Sequence, residues 1–143
     1  MKCFYGKKME LRVFTDGGAR GNPGPAAVGF LVQKEGKTVK RFAQYIGETT
    51  NNVAEYTAVI KALEWLVANS KWRIDKIVFF LDSKLVASQL NGLYKIKDYK
   101  LRNLVVKARE LEREIGGNVC YRHIPREKNR EADSLVNSVL DKL

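Results

Sequence analysis

Four acidic residues stand where charge is expensive. Asp16 closes the apolar run Leu-Arg-Val-Phe-Thr-Asp (11–16), and Asp82 closes Ile-Val-Phe-Phe-Leu-Asp (77–82). Glu55 falls on the greasy side of a helical pattern, and Asp133 lies in Asn-Arg-Glu-Ala-Asp at the opening of the last helix. An acid at the end of a buried strand is costly unless something positive compensates it. Carboxylates gathered together repel each other and would have to protonate in part. A hard divalent cation with oxygen ligands removes that conflict, and Mg²⁺ is the usual choice where substrate phosphates complete its shell. No Cys/His cluster points to zinc. Two ions about 4 Å apart would suit hydrolysis of a phosphodiester, one activating a water and the other stabilising the leaving oxygen.

Taken singly, each acid has a plainer explanation. A strand-ending Asp is commonly a turn or N-cap residue. Glu55 could be a capping-box partner at its helix start, and Asp133 a solvated helix residue. The case for a site rests on their joint occurrence in one consistent topology.

That topology follows from periodicity. Glu10–Asp16 has the pattern of a strand, followed by the Gly/Pro-rich loop 17–25. Ala26–Lys34, a Glu-Gly-Lys turn at 35–37 and Thr38–Gly47 complete a three-stranded antiparallel meander. Thr-Thr-Asn-Asn (49–52) offers N-cap side chains to a helix over Val53–Asn69. Ala58, Val59, Ala62, Leu63 and Leu66 form its buried stripe, and Glu55, four residues before Val59, lies on or beside it. Ile74–Leu81 is apolar throughout, as a strand covered on both faces requires. A short helix at Ser83–Asn91, a helix at Leu101–Ile115 ended by Gly116-Gly117, a strand at Asn118–Ile124, a loop at Pro125–Asn129 and a helix from Arg130 onward complete the chain. The order β-β-β-α-β-α-α-β-α predicts an α/β fold with a five-stranded mixed sheet flanked by helices on both faces. If the first and fourth strands are parallel neighbours, Asp16 and Asp82 emerge at the same edge, where ligands gather in such sheets.

The chain has 143 residues, 45% of them hydrophobic, enough for one ordinary core. A single domain over residues 10–143 is expected, after a short N-terminal extension at 1–9. Twenty-six Lys and Arg against 16 Asp and Glu leave a formal charge of +10, which makes nucleic acid the leading partner. Cys3 and Cys120 have neither disulfide-framework nor zinc spacing, as suits a reducing cytoplasm. No apolar run approaches the ~20 residues that span a bilayer, and the N-terminus lacks the apolar stretch of a signal peptide. A soluble, cytoplasmic monomer with no membrane partner is expected.

Four blocks carry a resemblance. Thr-Asp-Gly-Gly-Ala-Arg-Gly-Asn-Pro-Gly (15–24), Thr-Thr-Asn-Asn-Val-Ala-Glu-Tyr (49–56), Leu-Asp-Ser-Lys-Leu-Val (81–86) and Asn-Arg-Glu-Ala-Asp (129–133) resemble, in order, the signature blocks of type 1 ribonuclease H. The likeness spans about residues 10–142. It implies a ribonuclease H-like fold and endonucleolytic cutting of the RNA strand of an RNA–DNA hybrid, leaving 5′-phosphate and 3′-hydroxyl ends. It also implies two Mg²⁺ ions, with Mn²⁺ as a substitute. Asp16, Glu55, Asp82 and Asp133 match the family's catalytic, metal-binding acids. By that match Asp16 bridges both ions, Asp82 helps orient the attacking water, Glu55 holds the ion nearer the leaving side and Asp133 completes the other ion's shell.

The same resemblance makes Asn22, Asn51 and Asn52 minor-groove readers. Amides both donate and accept, so they can grip the ribose 2′-hydroxyl that distinguishes RNA from DNA. Thr50 matches a contact to a DNA-strand phosphate. Capping the following helix and shaping the Gly-rich loop is the plainer role for these four. His123, ten residues before Asp133, matches a loop histidine that assists proton movement and product release. It follows a strand, so its ring could instead be fixed against the sheet, leaving Arg126 to reach the site. Three departures stand out. The span between Asp82 and Asp133 is too short for the extra helix of a basic protrusion, which leaves Tyr94–Lys100 as a reduced hybrid-gripping surface or as a solvated loop with its tyrosines packed down. Lys84 stands where many relatives have Gln, and the first nine residues are too few for the hybrid-binding domain some relatives append. A non-catalytic hybrid or double-stranded-RNA binding module is the alternative function. A pure binder, however, gains nothing from acids facing phosphates. A strand-transfer or exonuclease relative fits the Gly-rich and Thr-Asn-Asn blocks less well.

Overall fold

The computed structural model describes residues 9–69, 74–116 and 118–143. Cys3, all but the last residue of the 1–9 extension, and Gly117 lie outside the described residues. Strands β1 (Glu10–Ala19), β2 (Gly24–Lys34) and β3 (Lys37–Thr49) are followed by α1 (Asn51–Ala68), β4 (Lys76–Leu81), α2 (Lys84–Leu90), α3 (Tyr99–Ile115), β5 (Asn118–His123), a 3-10 turn (Arg126–Lys128) and α4 (Arg130–Leu140). One mixed sheet has the order β3-β2-β1-β4-β5. The first three strands are antiparallel, while β4 runs parallel to β1 and β5 parallel to β4. The α/β architecture expected from periodicity is the one observed.

Side chains alternate across a strand, so the two faces of β1 belong to different layers. Leu11 and Val13 are fully buried in the main core, together with Tyr56, Val59, Leu63 and Leu66 of α1 and Ile77, Phe79 and Leu81 of β4. A smaller cluster of Ala27, Val136 and Leu140 lies under α4. A Cβ at Gly17 would strike α1, and one at Gly18 would meet Val136 of α4. Helices therefore cover both faces, with α1 and α4 on opposite sides.

Two boundaries move in ways that matter. β1 runs past Asp16 to Ala19 and β2 starts at Gly24, because Gly17, Gly18 and Ala19 continue the ladder opposite Val28, Ala27 and Ala26. The expected 17–25 loop shrinks to the Arg20–Pro23 turn, and Asp16 lies inside a strand, not at its end. Glycine weakens a strand but pairs readily within one, and here it marks close approach of another backbone. Second, Asp98 caps α3 by accepting from Leu101 N at 3.0 Å. Tyr99 and Lys100 are thereby drawn from the expected basic loop into the helix. Among the described residues, no helix is long and apolar enough to cross a membrane.

Candidate active site

Register delivers the first pair of acids. Phe14 is paired with Phe80 across the parallel β1–β4 ladder, so two residues further on Asp16 stands level with Asp82, just past the end of β4. On the other flank of β1, Asp16 is opposite Gly29, where a Cβ would lie 2.9 Å from Leu135 Cβ of α4. The missing side chain lets α4 settle beside Asp16, and Asp133 with it.

Glu55 arrives by the same device on the opposite face. A Cβ at Gly17 would fall 2.2 Å from the Ala54 carbonyl oxygen, so only glycine allows α1 to lie this close to β1. The approach lets Gly17 N donate to Glu55 Oε1 at 3.0 Å. Thr50, not Glu55, caps the helix, accepting from Val53 N at 3.3 Å. Glu55 is thus not a capping-box partner.

Oxygens of Asp16, Glu55 and Asp82 lie within 4.8 Å of one another. Asp133 sits outside this trio, yet close enough for its charge to act on Asp16. It lines, with the other three, a cavity of about 420 Å³ whose walls also include Ser83, Asn52, Arg126 and Asn137. Asp16 and Glu55 are each only 7% exposed. Burial pushes Asp16 up to about 7; the neighbouring Glu55 carboxyl opposes the shift, and the charges of Asp82 and Asp133 reinforce it. Burial and then the charge of Asp16 push Glu55 well above the carboxylate range. Two carboxyls held in this way are primed to exchange protons for a cation.

The donor set fits such a cation. All the candidate ligand atoms are hard carboxylate oxygens, and Glu55 Oε2 is buried with no hydrogen-bond partner. Stranding a carboxylate oxygen away from water is costly, and a divalent ion would satisfy it. The trio could hold a metal ion.

Around the acids, predicted roles divide. Asn51 Oδ1 accepts from Ala19 N at 2.8 Å, and Asn22 Oδ1 accepts from Asn51 N at 3.0 Å. Both amide oxygens are therefore committed to joining the Gly-rich turn to α1. Asn52 is exposed on the cavity wall. His123 ends β5 exposed, not fixed against the sheet, and does not line the cavity, whereas Arg126 does. Tyr94 and Tyr99 are 51% and 71% exposed, so the tyrosines of the basic segment are not packed down, although Ile96 packs against the core. Lys84 opens α2 in solvent, behind a Ser83 cap that accepts from Val86 N at 3.2 Å.

Sequence reasoning missed Asn129. It is 1% exposed, and its Nδ2 donates to Thr15 O at 2.9 Å and to Asp82 Oδ2 at 3.4 Å. A single amide thus ties the strand carrying Asp16 to the carboxylate of Asp82. Its position just ahead of α4 reads as a helix cap, yet its side chain makes no capping bond.

Comparison with known proteins adds four findings. A family model described as "Reverse transcriptase-like" matches residues 14–139. Ribonuclease HI of Halobacterium salinarum is 43% identical over 132 residues, covering 92% of this chain and 64% of that protein. A bifunctional protein of Mycobacterium tuberculosis is 37% identical over 135 residues, covering 93% of this chain and 36% of that one. The chain therefore spans only part of the length of these two relatives. Among solved structures, a ribonuclease H1 in complex with an RNA/DNA hybrid superposes with a TM-score of 0.87 at 44% identity, covering 92% of this chain and 97% of its own.

Proposed function

The chain belongs to the type 1 ribonuclease H family, and from that premise we propose that it cuts the RNA strand of RNA–DNA hybrids endonucleolytically. The products carry 5′-phosphate and 3′-hydroxyl ends. The observation that carries this reading is the packing of Asp16, Glu55 and Asp82 within 4.8 Å, with one buried Glu55 oxygen unpartnered, in a chain of net charge +10. So much negative charge amid so much positive suits a polyanion whose phosphates and counter-cations complete the site.

Asp16, Glu55, Asp82 and Asp133 would hold two divalent ions, Mg²⁺ with Mn²⁺ as substitute. When bound, these would supply Lewis acidity to the attacking water and to the leaving oxygen. The chain's own side chains do the rest. Asn129 holds Asp82 against β1. Asn52 faces the cavity with an amide able to meet a 2′-hydroxyl. Asn22 and Asn51 keep the turn and α1 together and leave their NH₂ groups for the minor groove, while Thr50 stands at the same helix start, toward a DNA-strand phosphate. Arg126 brings a guanidinium, which has only donors, so its part is charge stabilisation at the departing phosphate rather than proton transfer. His123, away from the cavity wall, has the lesser share. Lys95, Lys97 and Lys100 grip the hybrid backbone at a distance.

We take residues 10–143 as one catalytic domain acting as a cytoplasmic monomer, since all four acids come from one chain. The test is cleavage of end-labelled hybrid, duplex RNA and duplex DNA, each with Mg²⁺, Mn²⁺ or a chelator. Cleavage of hybrid RNA alone, lost in chelator and in Asp16→Asn while hybrid binding survives, is the expected result. Full activity in chelator would overturn the reading, and hybrid binding without any cleavage would favour a binding module.

A further inference from the structure

Asp133 is the acid least constrained by the sheet. It is carried on α4, outside the tight trio, and something else must fix its orientation. Residues 133, 137 and 141 recur every fourth position and so share one face of the helix. That face meets Arg20 in the Gly-rich turn. Arg20 Nη2 is paired with Asp141 Oδ1 and also donates to Asn137 Oδ1 at 3.4 Å, and Asn137 Nδ2 donates to Asp133 Oδ2 at 3.3 Å.

The chemistry of the groups fixes the order of this chain. A guanidinium has only donors, so Asn137 must turn its carbonyl oxygen toward Arg20. Its NH₂ is then the end left for Asp133, and an ionised carboxylate can only accept. Arg20 is itself paired with Asp141, which keeps its guanidinium over this face of α4. One oxygen of Asp133 is thereby held on the helix side. Arg20 and Asn137 both line the cavity that contains the four acids.

From this geometry we infer that Asn137, oriented by Arg20, is a positioning residue for Asp133 and sets how well the fourth carboxylate serves a bound divalent ion. The inference rests on the reading of Asp133 as an ion-holding acid. Arg20 and Asp141 are half to two-thirds exposed, and an exposed pair contributes little to folding. A loss of function on breaking the relay would therefore not be a loss of structure.

Calorimetric titration of the folded protein with Mn²⁺ alone tests this, with hybrid cleavage as a parallel readout. Asn137→Leu should weaken Mn²⁺ binding about 10-fold, as losing an outer partner of a metal ligand typically does. KM for the hybrid should move less than about 2-fold and Tm less than about 3 °C. Asn137→Gln, which keeps the amide, should recover part of the loss. Arg20→Gln should cost about 3-fold, and the Arg20→Gln/Asn137→Leu double variant should match Asn137→Leu alone, because Arg20 acts through Asn137. Additive losses, or wild-type Mn²⁺ affinity in Asn137→Leu, would overturn the inference. Asp133→Asn separates the two levels. If it weakens Mn²⁺ binding and Asn137→Leu does not, only the relay fails; if it leaves binding unchanged, the ion-holding role of Asp133 fails as well.

Discussion

Asp16 and Glu55 are each 7% exposed, whereas Leu93, Tyr94 and Tyr99 beside the lysines of the 93–100 segment are 72%, 51% and 71% exposed. The acids come from a strand and a helix that meet at a glycine, and a backbone N–H or a buried amide holds Glu55 and Asp82. The basic segment follows α2 in solvent, with Ile96 as its one apolar tether to the core. The contrast matches two physical demands. A cation held by carboxylates needs their oxygens fixed to a fraction of an ångström, which packed secondary structure supplies. A phosphate backbone is gripped by charge, and long flexible cations do that without exact placement.

Gly17→Ala is the sharpest way to break the rigid half. The new methyl would meet the Ala54 carbonyl oxygen at 2.2 Å, so α1 must shift outward and take Glu55 with it. Cleavage should fall by at least about 100-fold, since small displacements of catalytic groups are that costly. Hybrid affinity should change little, because the lysines are untouched. A gel-shift titration beside single-turnover cleavage measures both, and near-normal turnover would show that the close approach is dispensable. Alanine substitution of the exposed lysines, by contrast, should act on binding and its salt dependence.

Why the rigid half was so readable in the sequence follows from the same contrast. A buried strand ending in an acid leaves a mark, as at Phe-Phe-Leu-Asp before Asp82, and periods of two and of about four separate β1–β3 from α1. Those local signals were enough to predict a mixed five-stranded sheet opening on an antiparallel meander, and Asp16 falls beside Asp82 once β1 and β4 are parallel neighbours, as they are. Glycine misled, because Gly17 and Gly18 read as a loop although they carry the ladder on to Ala19. Contacts between distant polar side chains left no mark at all. Asn129 meets Thr15 across 114 positions and Arg20 meets Asn137 across 117, and neither spacing has a period. The rim was ambiguous for a related reason: an exposed His123 and an exposed Arg126 look alike until a cavity wall distinguishes them.

Protons sharpen the comparison further, since burial pushes the carboxyls of Asp16 and Glu55 upward. Asp16 is raised from 3.8 to about 7 and Glu55 moves in the same direction. Folding without ions therefore takes up protons. The stability tied to these groups is fully present below about pH 4 and is lost as pH rises through 7. A divalent ion replaces the protons at high pH and has less to offer at low pH. In calorimetric scans, saturating Mg²⁺ should raise Tm by roughly 5 °C or more at pH 8 and by under about 2 °C at pH 5. Asp16→Asn should remove most of that difference. An ion-induced shift of equal size at both pH values would contradict the proposed proton–cation exchange.

The smallest expected effect lies at the boundary between the two regions. Arg126 and His123 are both exposed and only three residues apart, but Arg126 alone shares the cavity with the acids. A guanidinium there offers only donors and can stabilise a departing phosphate without passing a proton, so its contribution should be nearly flat with pH. An imidazole in that role would pass protons and so make its contribution depend on pH. Arg126→Ala should lower steady-state turnover about 10-fold with a pre-steady-state burst that persists, and His123→Ala less than about 2-fold. The pH profile of His123→Ala should superpose on that of the parent. If instead His123→Ala changes the shape of that profile, the β5 end must swing toward the cavity when substrate binds, and the rim would be more adaptable than its place outside the cavity wall suggests. That outcome would move the line between fixed and adaptable inward, from the cavity wall to the carboxylates themselves.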